Sequence, residues 1–434
     1  MNTGHRVGVG MIGMGVVGGG VARILQDRAD HFRSARGIDL QLRRVAVRDV
    51  AKPRSMKLAD GVLVDDARLV IDDPEVDVVI EVMGGIQPAH GLCLRALEAG
   101  KDVVSANKAL LAENGDELFA AAAASGTDIA FGASVCGGIP IIQTLKDGLV
   151  ANRIESLYGI LNGTTNYILT RMTDDGGHFE EALSQAQDKG FAEADPTLDI
   201  DGTDAAQKLS LLCRIAFGVE VAPSAILKEG ISHISPIDID FARELGYTIK
   251  LLAIAKMRGE GIEARVHPAL VPSGALLANV KDEFNAVEVM GSAVGPQVFH
   301  GRGAGEMPTA SAIVSDLVDV AERRTDGRNG CGRLRPCEPA HLVPPEDVHT
   351  SAYFRFTVHD RPGVIAQIAQ IFSEEQISIA MVIQHGRSEV VGGAVPLIIT
   401  AHEAPESHMR RAVAAIDQLP VILEKSQVVR IESV

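Results

Sequence analysis

The sequence predicts an α/β protein with a Rossmann-type dinucleotide-binding domain, an α+β substrate and dimerisation domain, and a C-terminal βαββαβ unit of ferredoxin-like layout. Three observations predict this. Short apolar strands alternate with helices from Val7 to Phe131. The run Gly13-Met14-Gly15-Val16-Val17-Gly18 closes the first strand and opens the first helix. Beyond an Arg-, Gly- and Pro-rich stretch, residues 351–434 carry a second, compact alternation of strands and helices.

The N-terminal elements follow in order. Residues 7–12 form a short apolar strand, 16–26 a helix and 40–47 the next strand. Residues 76–82 are almost continuously apolar, the pattern of a strand buried on both faces. A helix over 92–99 ends at Gly100, and short strands at 102–105 and 128–131 flank an Ala-rich helix over 115–124. Such alternation implies a parallel sheet with right-handed crossovers. From Ala133 to Glu322 longer helices and fewer strands are expected, including a helix over 309–320. Residues 323–350 lack periodicity and read as a linker.

In the last unit Phe354, Phe356 and Val358 alternate with Tyr353, Arg355 and Thr357, as in a half-buried strand. Asp360-Arg361-Pro362-Gly363 turns into a helix whose buried face is Val364, Ile365, Ile368 and Phe372. Strands at 377–384 and 391–400, a helix at 408–418 and a strand at 428–433 complete it. The domains are therefore 1–132 for the dinucleotide, completed by 301–322, then 133–322 for substrate and dimerisation, a linker 323–350, and a regulatory unit 351–434.

Charge and composition narrow the function. The chain of 434 residues has 41 basic and 57 acidic side chains, a net −16, which argues against nucleic acid or an anionic membrane as partner. No apolar run reaches a bilayer span, and no charged segment precedes a long apolar one at the start, so a cytoplasmic protein is expected. The five cysteines, Cys93, Cys136, Cys213, Cys331 and Cys337, lack zinc-knuckle spacing and fit a reducing compartment.

The glycine run has the strand-before, helix-after context that dinucleotide binding requires: the glycines admit a pyrophosphate, and the helix start presents N–H groups to it. The second strand ends in Val47-Arg48-Asp49. Arg48 would pair with a 2′-phosphate and Asp49 would hold a ribose 2′-hydroxyl; the residues lean to NADP and leave NAD open.

The most informative run is 189–208, which places Glu193, Asp195, Asp199, Asp201 and Asp204 ahead of Lys208. A helix opens near Thr203 and ends by Gly218. At about 100° per residue, Leu209, Leu211, Leu212, Ile215 and Ala216 form an apolar arc, and Gln207, Ser210 and Arg214 a polar one. Asp204 and Lys208 fall within the apolar arc, one turn apart. They are either a surface ion pair near the stripe's edge or part of a buried polar site. Asp195 and Asp201 read as loop caps.

Several segments together resemble homoserine dehydrogenases: 7–18, 46–49 (AVRD), 79–85 (VIEVMGG), 105–109 (SANKA), 161–169 (LNGTTNYIL), 189–208 and 301–311 (GRGAGEMPTAS). The tail resembles an ACT domain, and no aspartokinase-like segment precedes the fingerprint, so the resemblance is to the monofunctional form. It implies reversible NAD(P)H-dependent reduction of L-aspartate 4-semialdehyde to L-homoserine, in the threonine and methionine branch of the aspartate pathway. Lys208 matches the proton-transferring lysine and Lys108 a second active-site lysine. Glu193 and Asp204 match substrate carboxylates; Asp199, Thr164 and Gly163 join them. Gly84, Ser105, Asn107, Gly303 and Gly305 are expected at the cofactor with the fingerprint glycines. The ACT resemblance implies feedback by L-threonine near Asp360, Gly363, Val364 and Ile365, and pairing of subunits into a homodimer or homotetramer.

The chain also departs from the pattern. Gly132 stands where relatives usually carry a glutamate that helps hold a monovalent cation, Cys136 where Gly or Ala is usual, and Phe191 where many have Tyr. The metal is therefore left unassigned. Two further readings compete: an oxidising semialdehyde dehydrogenase with Cys136 as nucleophile, and a non-enzymatic redox sensor built on the ACT unit.

Overall fold

The computed structural model describes residues 5–54, 56–328, 337–386 and 393–434. Part of the expected linker (329–336), with Cys331, and the first two residues of the strand expected from 391 lie outside these. The chain opens with β1 (His5–Ile12), α1 (Val16–Asp27), β2 (Ile38–Ala46), β3 (Leu63–Val64), β4 (Val78–Glu81), α2 (Ala89–Glu98), β5 (Asp102–Ser105), α3 (Lys108–Ser125) and β6 (Ile129–Ala130). Next come β7 (Ile154–Ile160), α4 (Gly163–Asp175), α5 (Phe179–Asp188), α6 (Thr203–Phe217), β8 (Val219–Glu220), β9 (Leu227–Lys228), α7 (Pro236–Glu244), β10 (Tyr247–Arg258) and β11 (Gly261–Pro272). The remainder is β12 (Phe284–Gly291), β13 (Gly295–Arg302), α8 (Glu306–Thr325), β14 (Glu338–Pro339), β15 (His349–His359), α9 (Val364–Glu374), β16 (Ile379–Ile383), β17 (Ala394–Pro405), α10 (Glu406–Ile416) and β18 (Gln427–Ile431).

These elements form two compact units, one from Met1–Glu155, Asp204–Ala225 and Phe284–Ala340, the other from Ser156–Thr203, Ile226–Glu283 and His341–Val434. The first holds a parallel sheet in the order β3-β2-β1-β4-β5-β6. This is the doubly wound order, reversing at β1 and β4, where such sheets bind ligands beyond their carboxyl ends. Val7, Val9 and Met11 of β1 and Ile80 of β4 are buried with Ile313, Leu317 and Ala321 of α8. α8 is longer than the sequence predicts at both ends, because Glu306 and Pro308 occupy its first turn and Arg323 is buried against Asp128 and Asp319 rather than starting a linker. α3 likewise starts seven residues before the expected helix (108 against 115), since the Asn107 side chain caps it by accepting from Leu110 N at 3.2 Å. β14 pairs with β8, which places part of the expected linker in a sheet.

In the second unit the strands run β7-β10-β11-β18-β15-β17-β16. The expected scarcity of strands in the middle of the chain is wrong here: β10 and β11 have 12 residues each. Both are buried on both faces, so neither shows the alternation by which a strand is recognised. Several charged side chains within them are ion-paired, while the buried Lys250 donates to Asn166 Oδ1 at 3.0 Å and to Val280 O. Arg265 lies between Glu263 at 2.7 Å and Glu432 at 2.5 Å, and Lys256 reaches Glu432 at 3.1 Å. Burial and the neighbouring Arg265 hold His267 well below its usual range, in its neutral form.

The βαββαβ order of the C-terminal unit is as predicted, with β15, β17, α9 and α10 around Phe354, Phe356, Ile368 and Phe372. Two details differ. Ile365, expected on the buried face of α9, is 43% exposed. Tyr353, expected on the open face of β15, is fully buried because α7 covers that face, where Asp238 accepts from its hydroxyl at 3.2 Å and from Arg355 at 2.7 Å. Among the described residues no helix is long and apolar enough to cross a membrane.

Candidate active site

The fingerprint glycines shape the turn from β1 to α1. Gly13 has φ +103°, and a Cβ there would lie 2.7 Å from the Val82 carbonyl oxygen. A Cβ on Gly18 would lie 2.6 Å from Gly13 O, so α1 can approach β1 only with glycine at this position. A Cβ on Gly15 would meet nothing within 4 Å: that side of the turn is open. Gly15 caps α1 without a side-chain acceptor, and Val16 beside it is 70% exposed while Val17 is half-buried. Met14 packs at the edge of the core. An open cradle ending at an uncapped helix N-terminus fits a pyrophosphate. Arg48 is exposed just beyond β2; the Asp49 carboxylate accepts from Ala51 N at 2.9 Å and closes a local turn.

The next two βα turns are tied together by a residue that sequence reading passed over. Glu81, fully buried at the end of β4, accepts from Met83 N at 2.9 Å and from the Ser105 hydroxyl at 2.8 Å. Ser105 Oγ in turn accepts from Asn107 N at 3.0 Å, and Asn107 Nδ2 donates to Gly85 O at 2.6 Å. Gly84 and Gly85, at φ +74° and +75°, make this turn. Ser105 and Asn107 thus fix the start of α3 as well as facing the expected cofactor end of the sheet. The only hint of Glu81 in the sequence is an acid within an apolar run.

Lys108 is the first residue of α3, and Asp204 and Lys208 lie one turn apart on α6. One carboxylate holds both lysines: Asp204 Oδ1 is 3.0 Å from Lys108 Nζ, and Asp204 Oδ2 accepts from Lys208 Nζ at 2.7 Å. The Asp204 and Lys208 side chains are 7% and 12% exposed, against 39% for Lys108. Of the two readings of this pair, burial supports the polar site. The expected polar arc of α6 is wrong in part. Ser210 and Arg214 are buried, Ser210 donating to Val221 O at 2.6 Å and Arg214 pairing with Asp116.

The remaining expected substrate residues belong to the second unit. Asn162 caps α4, its Oδ1 accepting from Thr165 N at 2.8 Å, while its Nδ2 donates to Asp199 Oδ1 at 2.7 Å. This ties the Asp199 turn to the start of α4, a role for Asn162 that its place in the LNGTTNYIL motif did not single out. Gly163 and Thr164 begin α4, and the Thr164 hydroxyl donates to Phe191 O at 2.7 Å, so its proton is already engaged. Glu193 is exposed. Asp195 and Asp201 cap turns by accepting from Thr197 N at 3.1 Å and Thr203 N at 2.8 Å.

The loop 131–138 returns to the first unit. Cys136 is fully buried, with φ +55°. Burial pushes its thiol upward, which is unfavourable for a thiolate nucleophile. Asn285 Nδ2 lies 3.5 Å from Cys136 Sγ, and Asn285 also fills the space a Cβ on Gly303 would occupy, 2.2 Å from its Cγ. A side chain at 303 would thus clash with Asn285; Gly305, at φ +121°, caps α8. Gly132 N donates to Asp316 Oδ2 at 2.7 Å. With no side chain at 132 and this carboxylate engaged, the donor set does not fit a cation held by an acidic side chain of the loop. In the C-terminal unit Gly363, at φ +91°, caps α9, whose first residues are buried Val364 and exposed Ile365; Asp360 N donates to Gly393 O at 2.9 Å.

Comparison with known proteins identifies the family of the chain. The family model described as homoserine dehydrogenase matches residues 140–318, that of the homoserine dehydrogenase NAD-binding domain residues 13–132, and that of the ACT domain residues 352–418. The chain is 42% identical over 427 residues to the homoserine dehydrogenase of Bacillus subtilis, covering 98% of each. To that of Pseudomonas aeruginosa it is 43% identical over 418 residues, covering 95% of this chain and 96% of the other. The crystal structure of a homoserine dehydrogenase from Thiobacillus denitrificans superposes with a TM-score of 0.93 at 43% identity, covering 99% of both chains.

Proposed function

Because the chain belongs to the homoserine dehydrogenase family, an NAD(P)-dependent oxidoreductase family, we propose that Lys208 and Lys108, held on the single carboxylate of Asp204, move the proton in the interconversion of L-homoserine and L-aspartate 4-semialdehyde. That shared carboxylate is the observation that carries the reading. A nicotinamide cofactor held by the Gly13–Gly18 turn would supply the hydride for reduction of the aldehyde carbon, or accept it in the reverse direction. Reduction leaves charge on the carbonyl oxygen, which needs a proton as it develops. Lys208 is the donor, being the more buried of the two lysines. Asp204 orients its ammonium, and Lys108, more open to water, restores the proton through the same carboxylate. In the oxidation direction Lys208 takes the hydroxyl proton.

Glu193 and Asp199 are assigned to the substrate ammonium. Gly163 and Thr164, at the positive end of α4, are assigned to its carboxylate. Gly13, Met14, Gly15, Val16, Val17 and Gly18 hold the cofactor, with Gly84, Ser105, Asn107, Gly303 and Gly305 around it. Arg48 selects NADP, a reading supported by the engagement of Asp49 in its own turn. No step is assigned to a monovalent cation. The ACT unit binds L-threonine at Asp360, Gly363, Val364 and Ile365 and provides feedback in the threonine and methionine branch, in a cytoplasmic homodimer or homotetramer.

One experiment tests the core of this. Initial rates are measured with L-homoserine and NADP or NAD, with and without L-threonine, alongside Lys208→Ala. Homoserine-dependent reduction of NADP, lost by orders of magnitude in the variant with NADPH binding retained, is expected. Near-normal turnover in Lys208→Ala would overturn the assignment of the proton donor. An unchanged NADP-to-NAD ratio in Arg48→Ala would remove Arg48 from cofactor choice.

A further inference from the structure

We propose that Arg214 and Asp116 form a positioning clamp that sets Lys108 against Asp204 from two to three turns further along the same two helices. The inference rests on the reading of Lys108 given above. α3 carries Lys108 in its first turn and Asp116 two turns on; α6 carries Asp204 in its first turn and Arg214 nearly three turns on. Lys108 pairs with Asp204, and Arg214 pairs with Asp116. At 1.5 Å per residue, the two links stand about 12 Å apart along α3 and about 15 Å apart along α6.

One link alone is a pivot. Two separated links fix the angle between the helices and their slide past each other. Rotation by about 5° over about 12 Å displaces a side chain by about 1 Å, and an error of that size can cost about a hundredfold in rate.

The far link is built to be rigid. The Arg214 side chain is 6% exposed, and its guanidinium lies 4.8 Å over the ring of Phe119, one turn beyond Asp116 on α3. Phe119 is itself buried against Phe131 at 5.8 Å. Ser210, one turn before Arg214, ties α6 to Val221 O at 2.6 Å. A planar, stacked guanidinium resists replacement by lysine, which offers neither the plane nor the fork. The Glu220 carboxyl lies beside Asp116, and their hydrogen bond, with burial, raises it to about 7. Arg214 is therefore the one cation by which this acid pair is tied to α6 among the interactions described. Arg214 and Asp116 make no contact that the proton transfer requires; they act through Lys108 and Asp204.

The test is a double-mutant cycle in the full-length enzyme with homoserine and NADP. Arg214→Gln is expected to lower kcat about 10- to 100-fold, with KM for homoserine and the NADPH dissociation constant within about threefold of wild type. In a Lys108→Ala background the same change should cost less than about twofold. A full additional loss in that background would overturn the clamp and assign Arg214 to general stability. A second readout does not need turnover: the rate of acetylation of the Lys108 amine by acetic anhydride, followed by mass spectrometry, should rise several-fold in Arg214→Gln as the Asp204 pairing loosens. An unchanged rate would also overturn the proposal. If Arg214→Gln fails to fold, Asp116→Asn, which leaves the arginine stacked on Phe119, is put through both measurements. If Lys108→Ala turns over like wild type, the catalytic reading of Lys108 fails, and the labelling rate alone decides the clamp.

Discussion

Replacing Asp204 by asparagine removes the one carboxylate charge that Lys208 and Lys108 share. Its carboxylate is 2.7 Å from Lys208 and 3.0 Å from Lys108. The two losses are unequal. Lys208 is 12% exposed, so loss of its counter-ion resembles the breaking of a buried pair, about 3 kcal/mol at the low end of that range. Lys108 is 39% exposed, so water screens it and its share is about 0.5 kcal/mol. Asp204→Asn should therefore destabilise the first unit by about 3.5 kcal/mol, lowering its thermal midpoint by about 7–14 °C. Lys108→Ala should cost about 0.5 kcal/mol, because Asp204 keeps Lys208. The chemical effect is separate. With Lys208 no longer oriented, kcat should fall about 10²- to 10³-fold, within the range for loss of a positioned acid or base. The assays are differential scanning fluorimetry at fixed pH and initial rates of homoserine oxidation. Equal destabilisation by Asp204→Asn and Lys108→Ala would refute the burial argument. Turnover within tenfold of wild type in Asp204→Asn would refute the shared-carboxylate mechanism.

Gly13→Ala places a Cβ 2.7 Å from Val82 O at a φ of +103°; a cost of about 1–3 kcal/mol is expected, with NADPH affinity reduced at least about tenfold in a fluorescence titration. Burial raises the Asp316 carboxyl to about 7, against a donated hydrogen bond from Gly132 N and the nearby Lys146, which lower it. The folded chain thus keeps this proton where the unfolded chain has released it; the stabilisation is complete below about pH 4 and is lost as pH rises through about 7. Asp316→Asn should flatten the fall in thermal midpoint between pH 5 and pH 8 relative to wild type, and an identical fall would refute the assignment. Gly363→Val, at φ +91°, should raise the threonine concentration for half-inhibition at least about tenfold, measured at fixed homoserine; an unchanged value would remove this turn from the effector site. This substitution is a better test than truncation, because β18 of the C-terminal unit is paired with β11, and its removal would strip a buried strand of its neighbour.

What could be read from the sequence followed from local patterns with one buried partner. The parallel sheet, the glycine turn and the βαββαβ order each have a short-range signature, and the Asp204–Lys208 pair was visible as two charges inside an apolar arc. The failures share a cause. Periodicity assigns a helix or strand one buried face, and it fails where a second element covers the other. The α6 pattern assigns Arg214 to a polar arc and contains no trace of Asp116 and Phe119, which approach from α3 and bury it. Tyr353 was placed in water because Asp238 on α7 is 115 residues away in sequence. β10 and β11 lack alternation for the same reason: both of their faces are covered, and Arg265 and Lys256 are paired there with Glu263 and Glu432. Glu81 is the functional case: in sequence it is one acid in an apolar strand, and only folding brings it to Ser105 and Met83 N, where it orders the start of α3. Lys108 could thus be recognised by its motif, while the groups that hold it in place, Glu81 through Asn107 on one side and Asp204 on the other, are set by long-range contacts that no local pattern encodes.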